Sequence, residues 1–314
     1  MALPKLPPLD TPHFPPQNCH HAQSPPRPVI LLAVQGGLGN QLFQYAFARR
    51  IALQIPQPIW IDQSRYHDPT RAQLRRLELL NLNTRIDRLL PADVCASPPA
   101  ATGPFWFEGH AFERIEDCGQ SPATLPPLAG NIALKGEWSG RIGYLYDPDF
   151  LTLLRAEFTA VPGPRSATFV QIEAMITAAA NPVCVQVRRG EYQKLTHIFT
   201  RLGAEYYHAA RQRISAAVPG ASYFVFSDDP DQVRVELAPC RDLTILPALT
   251  PVESLTLSRL CRHFICANST FSFWSALLAG ADQVIVPRQY FTDPAAQADY
   301  LADPDFYPKS WVHV

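Results

Sequence analysis

The sequence predicts an α/β protein made of two doubly wound domains that meet at a cleft. Three observations predict this. The chain has 314 residues and 47% hydrophobic content, enough for two domains with separate cores. An apolar run at Val29–Val34 opens into the glycine-rich segment 35–39, and the next stretch places Leu42, Phe43, Ala46, Phe47 and Ile51 on one helical face. From Val183 onward, short apolar runs alternate with helical patterns as far as residue 286, which implies right-handed crossovers and a parallel sheet.

Residues 1–28 contain nine prolines and three charged residues and read as an extended, disordered arm. Its Cys19, His20 and His21 resemble metal ligands only in composition. The first domain is expected over 29–160. It has strands at 29–34, 59–62 and 132–138, a helix at 40–54 and another at 147–158. Residues 71–82 have mixed helical spacing. Residues 98–127 are rich in proline, glycine and aromatics, and are expected to form long loops. The second domain, 161–314, is expected to carry strands at 183–187, 222–226, 243–246, 263–267 and 283–286. The helices between them are placed at 203–217, 230–237, 251–261 and 270–279.

The loops at the carboxyl ends of these strands carry the chemistry, because ligands of open α/β sheets bind there. The strand at 183–187 runs into Arg188, Arg189 and Gly190. Neighbouring side chains on a strand point to opposite faces, so one arginine meets the ligand and the other packs inside; Arg188 is assigned to the ligand. Asp228 and Asp229 end the strand at 222–226. A carboxylate there presents two acceptors that match the N1–H and N2–H donors of guanine, while either aspartate can also cap the next helix. Ser269 and Thr270 open a helix, where hydroxyls and free amides form an anion cradle or an ordinary cap. Gly37-x-Gly39 invites a dinucleotide reading. The third glycine of that fingerprint would fall at Leu42, and no acidic ribose clamp is in place, so a nicotinamide oxidoreductase is disfavoured.

Three stretches carry a family resemblance. Gln186-Val187-Arg188-Arg189-Gly190-Glu191 resembles the His-x-Arg-Arg-Gly-Asp motif of the α-1,2-fucosyltransferases, glycosyltransferase family 11. The stretches 36–46 (GGLGNQLFQYA) and 267–274 (ANSTFSFW) are similar to that family's first and last motifs. The resemblance implies two Rossmann-like domains in the GT-B arrangement and an inverting transfer of fucose from GDP-β-L-fucose to the 2-hydroxyl of a galactoside. It implies that Gly39 and Asn40 face the donor pyrophosphate or the reaction centre, and it favours the guanine role for Asp228. The expected catalytic set is Arg188, Glu191 and Asn40; the expected donor-binding set is Gly37, Gly39, Gln186, Asp228, Asn268, Ser269, Thr270 and Phe271. Gln186 stands where the family has histidine and Glu191 where it has aspartate, and glutamine cannot carry charge. Glu191 is the nearest candidate base, with His197 and Glu205 behind it. Glu108, His110 and Trp138 are candidate sugar contacts.

Asp147-Pro148-Asp149, Asp229-Pro230-Asp231 and Asp303-Pro304-Asp305 fit the Asp-x-Asp pattern of metal-dependent transferases. A central proline instead suggests turns and helix starts. The resemblance implies no metal and no cofactor beyond the donor substrate. The formal charge of -1 gives no bulk basic field for nucleic acid or an anionic membrane. Seven cysteines without close CxxC pairs argue against a disulfide framework, and no apolar run reaches the roughly 20 residues of a spanning helix. A cytoplasmic, bacterial enzyme is expected. A non-catalytic GDP-sugar binder and a fucosyltransferase of another linkage remain the alternatives.

Overall fold

The structure, a computed structural model, describes residues 28–68, 75–95, 104–108, 110–117, 119, 121–125, 130–238, 240 and 242–314. All but the last residue of the proline-rich arm, with Cys19, His20 and His21, lies outside the described residues. The first half carries β1 (Ile30–Ala33), α1 (Leu38–Gln54), β2 (Ile59–Asp62), α2 (Ser64–His67), β3 (Arg88–Leu89), β4 (Phe105–Phe107), β5 (His110–Glu116) and β6 (Asn131–Lys135). These strands lie in the order β3-β2-β1-β6-β5-β4, parallel throughout except for β4 on β5. Next come α3 (Pro148–Glu157) and α4 (Ala167–Ala178). The second half continues with β7 (Asn181–Val187), α5 (Ala204–Ala217), β8 (Ala221–Ser227), α6 (Pro230–Glu236), β9 (Leu243–Ile245) and α7 (Pro251–Ser258). It ends with β10 (His263–Ile265), α8 (Thr270–Ala279), β11 (Gln283–Val286), α9 (Pro294–Ala302) and β12 (Val312–His313). Its sheet, in the order β12-β11-β10-β7-β8-β9, is parallel throughout.

Central strands buried on both faces must be continuously apolar, and Ile30, Leu31 and Leu32 of β1 and Val183, Cys184 and Val185 of β7 meet that demand. Helix starts are set by caps. Asp147 Oδ1 accepts from the amides of Asp149 and Phe150 with Pro148 in the first turn, and Asp229 Oδ1 accepts from Gln232 N at the head of α6. Asp303 Oδ1 closes a turn onto Asp305 N. The three Asp-Pro-Asp triplets are therefore turn and cap devices. Thr250 and Glu253 form a reciprocal capping box at α7.

Three expectations are corrected. The strand expected at 132–138 ends at Lys135, because the backbone turns to positive φ at Gly136 and Trp138. The supposed loops at 98–127 contain β4 and β5, because the Phe105 and Phe112 rings pack at a tilt with centroids 5.8 Å apart and bury against Leu31 and Ala133, converting a proline-rich segment into sheet edge. Helix α1 begins at Leu38, two residues early, with Gly37 as its N-cap. Asn40 therefore lies inside the first turn and makes no cap bond.

Both sheets share one continuous apolar cluster, and its seam is α1 against α8. Phe43 stacks on Phe273 at 5.1 Å and meets Trp274 at a tilt, with centroids 4.9 Å apart. At the amino ends of the two helices the contact is tighter. A Cβ on Gly39 would stand 2.6 Å from Thr270 Oγ1 and closer still to Phe271 N, so only glycine allows this approach. Each sheet has a topological switch point, where the connections of neighbouring strands lie on opposite sides: β1, which leads to β2, beside β6, which is reached from β5, and β7, which leads to β8, beside β10, which leads to β11.

Candidate active site

The loops leaving those two switch points enclose a cleft of about 470 Å³. Gly36, Gly37, Gly39, Asn40, Arg75 and Glu137 line it from the first domain. Arg188, Tyr192, Asp228, Ser269, Thr270 and Phe271 line it from the second.

The structure divides the two arginines as strand alternation predicts. Arg188 faces the cleft, with Nη1 2.7 Å from Asp228 Oδ2 and its guanidinium over the Tyr192 ring at 5.3 Å. Arg189 is 2% exposed; it donates to Glu236 Oε2 at 2.6 Å and to the carbonyls of Arg188 and Leu202. Burial pushes the Glu236 carboxyl up, but hydrogen bonding and charge from Arg189 outweigh it and hold the group below its ordinary range. A lowered carboxylate stabilises the fold above its unfolded pKa, and that stability is lost as pH falls through the folded value. Arg189→Met is expected to cost about 3 kcal/mol at neutral pH and to flatten this acid limb, as read by thermal melts across pH.

Asp228 has both oxygens engaged: Oδ1 accepts from Arg189 N at 2.8 Å and Oδ2 pairs with Arg188. It can present two acceptors to a base edge only by exchanging the Arg188 contact. Gly190 makes room for this carboxylate, since a Cβ there would overlap Asp228 Oδ2.

At the head of α8, Ser269 Oγ accepts from Phe271 N and caps the helix, while Thr270 Oγ1 donates to Asn40 Oδ1 at 2.6 Å. The Asn40 amide in turn donates to Glu137 Oε2 at 2.5 Å, so one side chain joins β6, α1 and α8. Gln41 and Gln44, fully buried, shape the loop after β1. Gln41 donates to Gly36 O and Arg76 O and accepts from the amides of Glu78 and Leu79; Gln44 exchanges bonds with the Gln35 backbone. This fixes the segment that carries Arg75, whose guanidinium lies beside Gly37.

Other expected site residues have different placements. Asn268 does not line the cleft: its amide donates to Thr200 O and Tyr290 O and ties loops together. Gln186 is buried at the cleft floor, where Oε1 accepts from Ser272 Oγ at 3.3 Å and holds α8 onto β7. The Glu191 backbone lies in a short 3-10 turn, and its side chain lies outside the described residues. His197 and Glu205 are exposed away from the cleft lining. Trp138 is core, stacked on Phe47 at 4.0 Å, and Glu108 is engaged by Arg88 on the outer edge of the first sheet. His110 opens β5, at the end of the sheet away from the cleft-forming loops.

The sequence reading missed Glu137, Arg75 and Tyr192. Glu137 falls inside the strand expected at 132–138; because β6 ends at Lys135, it stands in the loop after the strand, as Arg188 does after β7. Arg75 lies in the segment whose mixed helical spacing gives no placement; residues 75–78 have no regular secondary structure. Burial pushes the Tyr192 phenol up to about 12 although Arg188 opposes it, so it is a neutral donor at physiological pH. Glu137 is open to solvent on one side, yet the surrounding walls and the charge of Asp117 hold its carboxyl above the usual range.

No group of three or more histidine, cysteine, aspartate or glutamate side chains suited to a metal ion occurs among the described residues. No helix among them is long and apolar enough to cross a membrane. Comparison with known proteins places these features in context. Residues 165–314 match the family model described as Glycosyl transferase family 11. The chain is 24% identical over 303 residues to an alpha-1,2-colitosyltransferase of Escherichia coli, covering 91% of this chain and 99% of that protein. It is 25% identical over 297 residues to the O-antigen biosynthesis glycosyltransferase WbnK of Escherichia coli, covering 82% and 93%. Its fold is similar to that of the fucosyltransferase NodZ from Bradyrhizobium, with a TM-score of 0.50 at 12% identity, covering 82% of this chain and 94% of that one. The two facing α/β domains are a GT-B fold, and the second of them carries the match to the glycosyl transferase family 11 model.

Proposed function

We propose that the protein transfers L-fucose from GDP-β-L-fucose to the 2-hydroxyl of a terminal galactose, with inversion and without a divalent metal. One observation carries this reading: Arg188 at the end of β7 and the head of α8 at Ser269 and Thr270 line the same cleft from adjacent strands of one switch point. A diphosphate held there meets a guanidinium and free helix amides, and Arg75 adds a second cation from the opposite domain. As the glycosidic bond lengthens, negative charge grows on the β-phosphate, so cations already in place stabilise the transition state more than the ground state. Arrival of the diphosphate draws Arg188 away from Asp228, which frees that carboxylate for the guanine edge. The volume suits a nucleotide sugar.

Incubation with several nucleotide sugars and a galactoside panel, with readout of GDP release and of the linkage formed, tests the reading. A non-catalytic binder would take up GDP-fucose and release no GDP. The two cations replace a metal in this scheme, so full activity is expected in excess chelator. A strict requirement for manganese or magnesium would refute that part. The likeness to a colitosyltransferase supports a second reading, in which colitose is the sugar transferred. Rates measured side by side with the two donors separate them.

A further inference from the structure

Transfer to a hydroxyl leaves a proton to be removed. The acceptor oxygen bonds to the anomeric carbon, the bond from that carbon to the β-phosphate oxygen breaks, the diphosphate keeps the electron pair, and the hydroxyl proton must pass to a base. Among the described residues, two carboxylates and no histidine line the cleft. Asp228 has both oxygens occupied, and its partner is the guanidinium assigned to the leaving group.

Glu137 is placed differently. It leaves the first sheet at the carboxyl end of β6, beside β1, which is the switch point of the domain facing the donor. Its Oε2 accepts from Asn40, and Oε1 has no hydrogen bond among the described residues. The backbone around it is distorted: φ is 153° at Gly136 and 54° at Trp138. A tryptophan in the left-handed region is strained, and such strain persists where the surroundings enforce it. Here the Trp138 ring is buried against Phe47 and its amide is fixed by Asp117 Oδ2 at 2.6 Å, while Glu137 reaches the cleft.

We infer that Glu137 is the catalytic base that takes the proton of the acceptor hydroxyl, oriented by Asn40, which is itself anchored to Thr270 across the domain boundary. The inference rests on the transferase reading above. It assigns the acceptor sugar to the first domain, with its reacting hydroxyl against Oε1. The ionisable groups around Glu137 are Asp117, Tyr66 and Tyr290, and Arg75 shares the cleft wall. Desolvation by the cleft walls and the Asp117 charge keep the carboxyl above its ordinary range, closer to the working pH of a general base.

The test compares wild type with Glu137→Gln, which keeps the acceptor for the Asn40 amide, and with Glu137→Ala in added formate. Expected results are a fall in kcat of about 10²-fold or more for Glu137→Gln, unchanged GDP affinity, and partial recovery of Glu137→Ala by formate. Wild-type kcat should fall with pH as the carboxyl protonates, and the residual rate of Glu137→Gln should lack that limb. Folding is checked by melting: a raised carboxyl is one whose charge the fold disfavours, so Glu137→Gln should keep or slightly raise Tm at neutral pH. A kcat within twofold of wild type, a persisting acid limb, or a loss of GDP affinity in proportion to rate would overturn the assignment. If wild type itself releases no GDP with any galactoside, the transferase reading fails first, and that is visible before any substitution is made.

Discussion

Arg188→Ala is expected to lower kcat by about 10²-fold or more, the loss typical when a preplaced group that stabilises developing charge is removed. GDP affinity should also fall. Asp228 loses the guanidinium 2.7 Å away, and its charge is left facing the diphosphate it was paired to admit. Arg188→Lys should recover only part of the rate. Lysine supplies a point charge, without the planar fork that lies over Tyr192 while reaching Asp228. Steady-state transfer kinetics with calorimetric GDP binding provide the check, and a near-normal rate in a folded alanine variant would rule out the role.

Gly39→Ala should have a comparable effect for a different reason. The added methyl would overlap Phe271 N and Thr270 Oγ1, so the heads of α1 and α8 must separate. Overpacking of this kind costs roughly 1–3 kcal/mol of stability. A displacement of about 1 Å at a reacting centre can cost about 10²-fold in rate, and here it would also break the Asn40–Thr270 bond. The variant should therefore show both a lower Tm and a collapsed kcat. Gly163→Ala, whose Cβ would meet nothing nearer than 3.9 Å, should show neither.

The legible parts of the molecule are those where local sequence and tertiary demand agree. The strand, glycine turn and helix of β1 and α1 were readable because buried parallel strands must be apolar and the turn must pass close to a neighbour. That Arg188 and Arg189 point to opposite faces followed from alternation, which does not say which of them meets the cleft. The β4–β5 pair was not readable, since its stability comes from Phe105 and Phe112 packing on a distant strand and not from its own proline-rich composition. Ser269 and Asn268 show a different limit. Both lie in the motif, but one caps a helix and lines the cleft while the other is consumed by two carbonyls, and only their three-dimensional partners tell them apart. Glu137 and Arg75 meet Arg188 only through long-range closure of two sheets, which no window of sequence contains.

The aromatic seam of Phe43, Phe273 and Trp274 has a kinetic consequence. Swinging the two halves apart would pull packed rings into water, at a cost of several kcal/mol at about 25 cal/mol per Å² of apolar surface. The seam thus opposes opening of the cleft, and under the proposed function exchange of GDP is expected to proceed through side chains and loops at the rim. The radius of gyration in solution should stay constant between the empty and the GDP-filled protein.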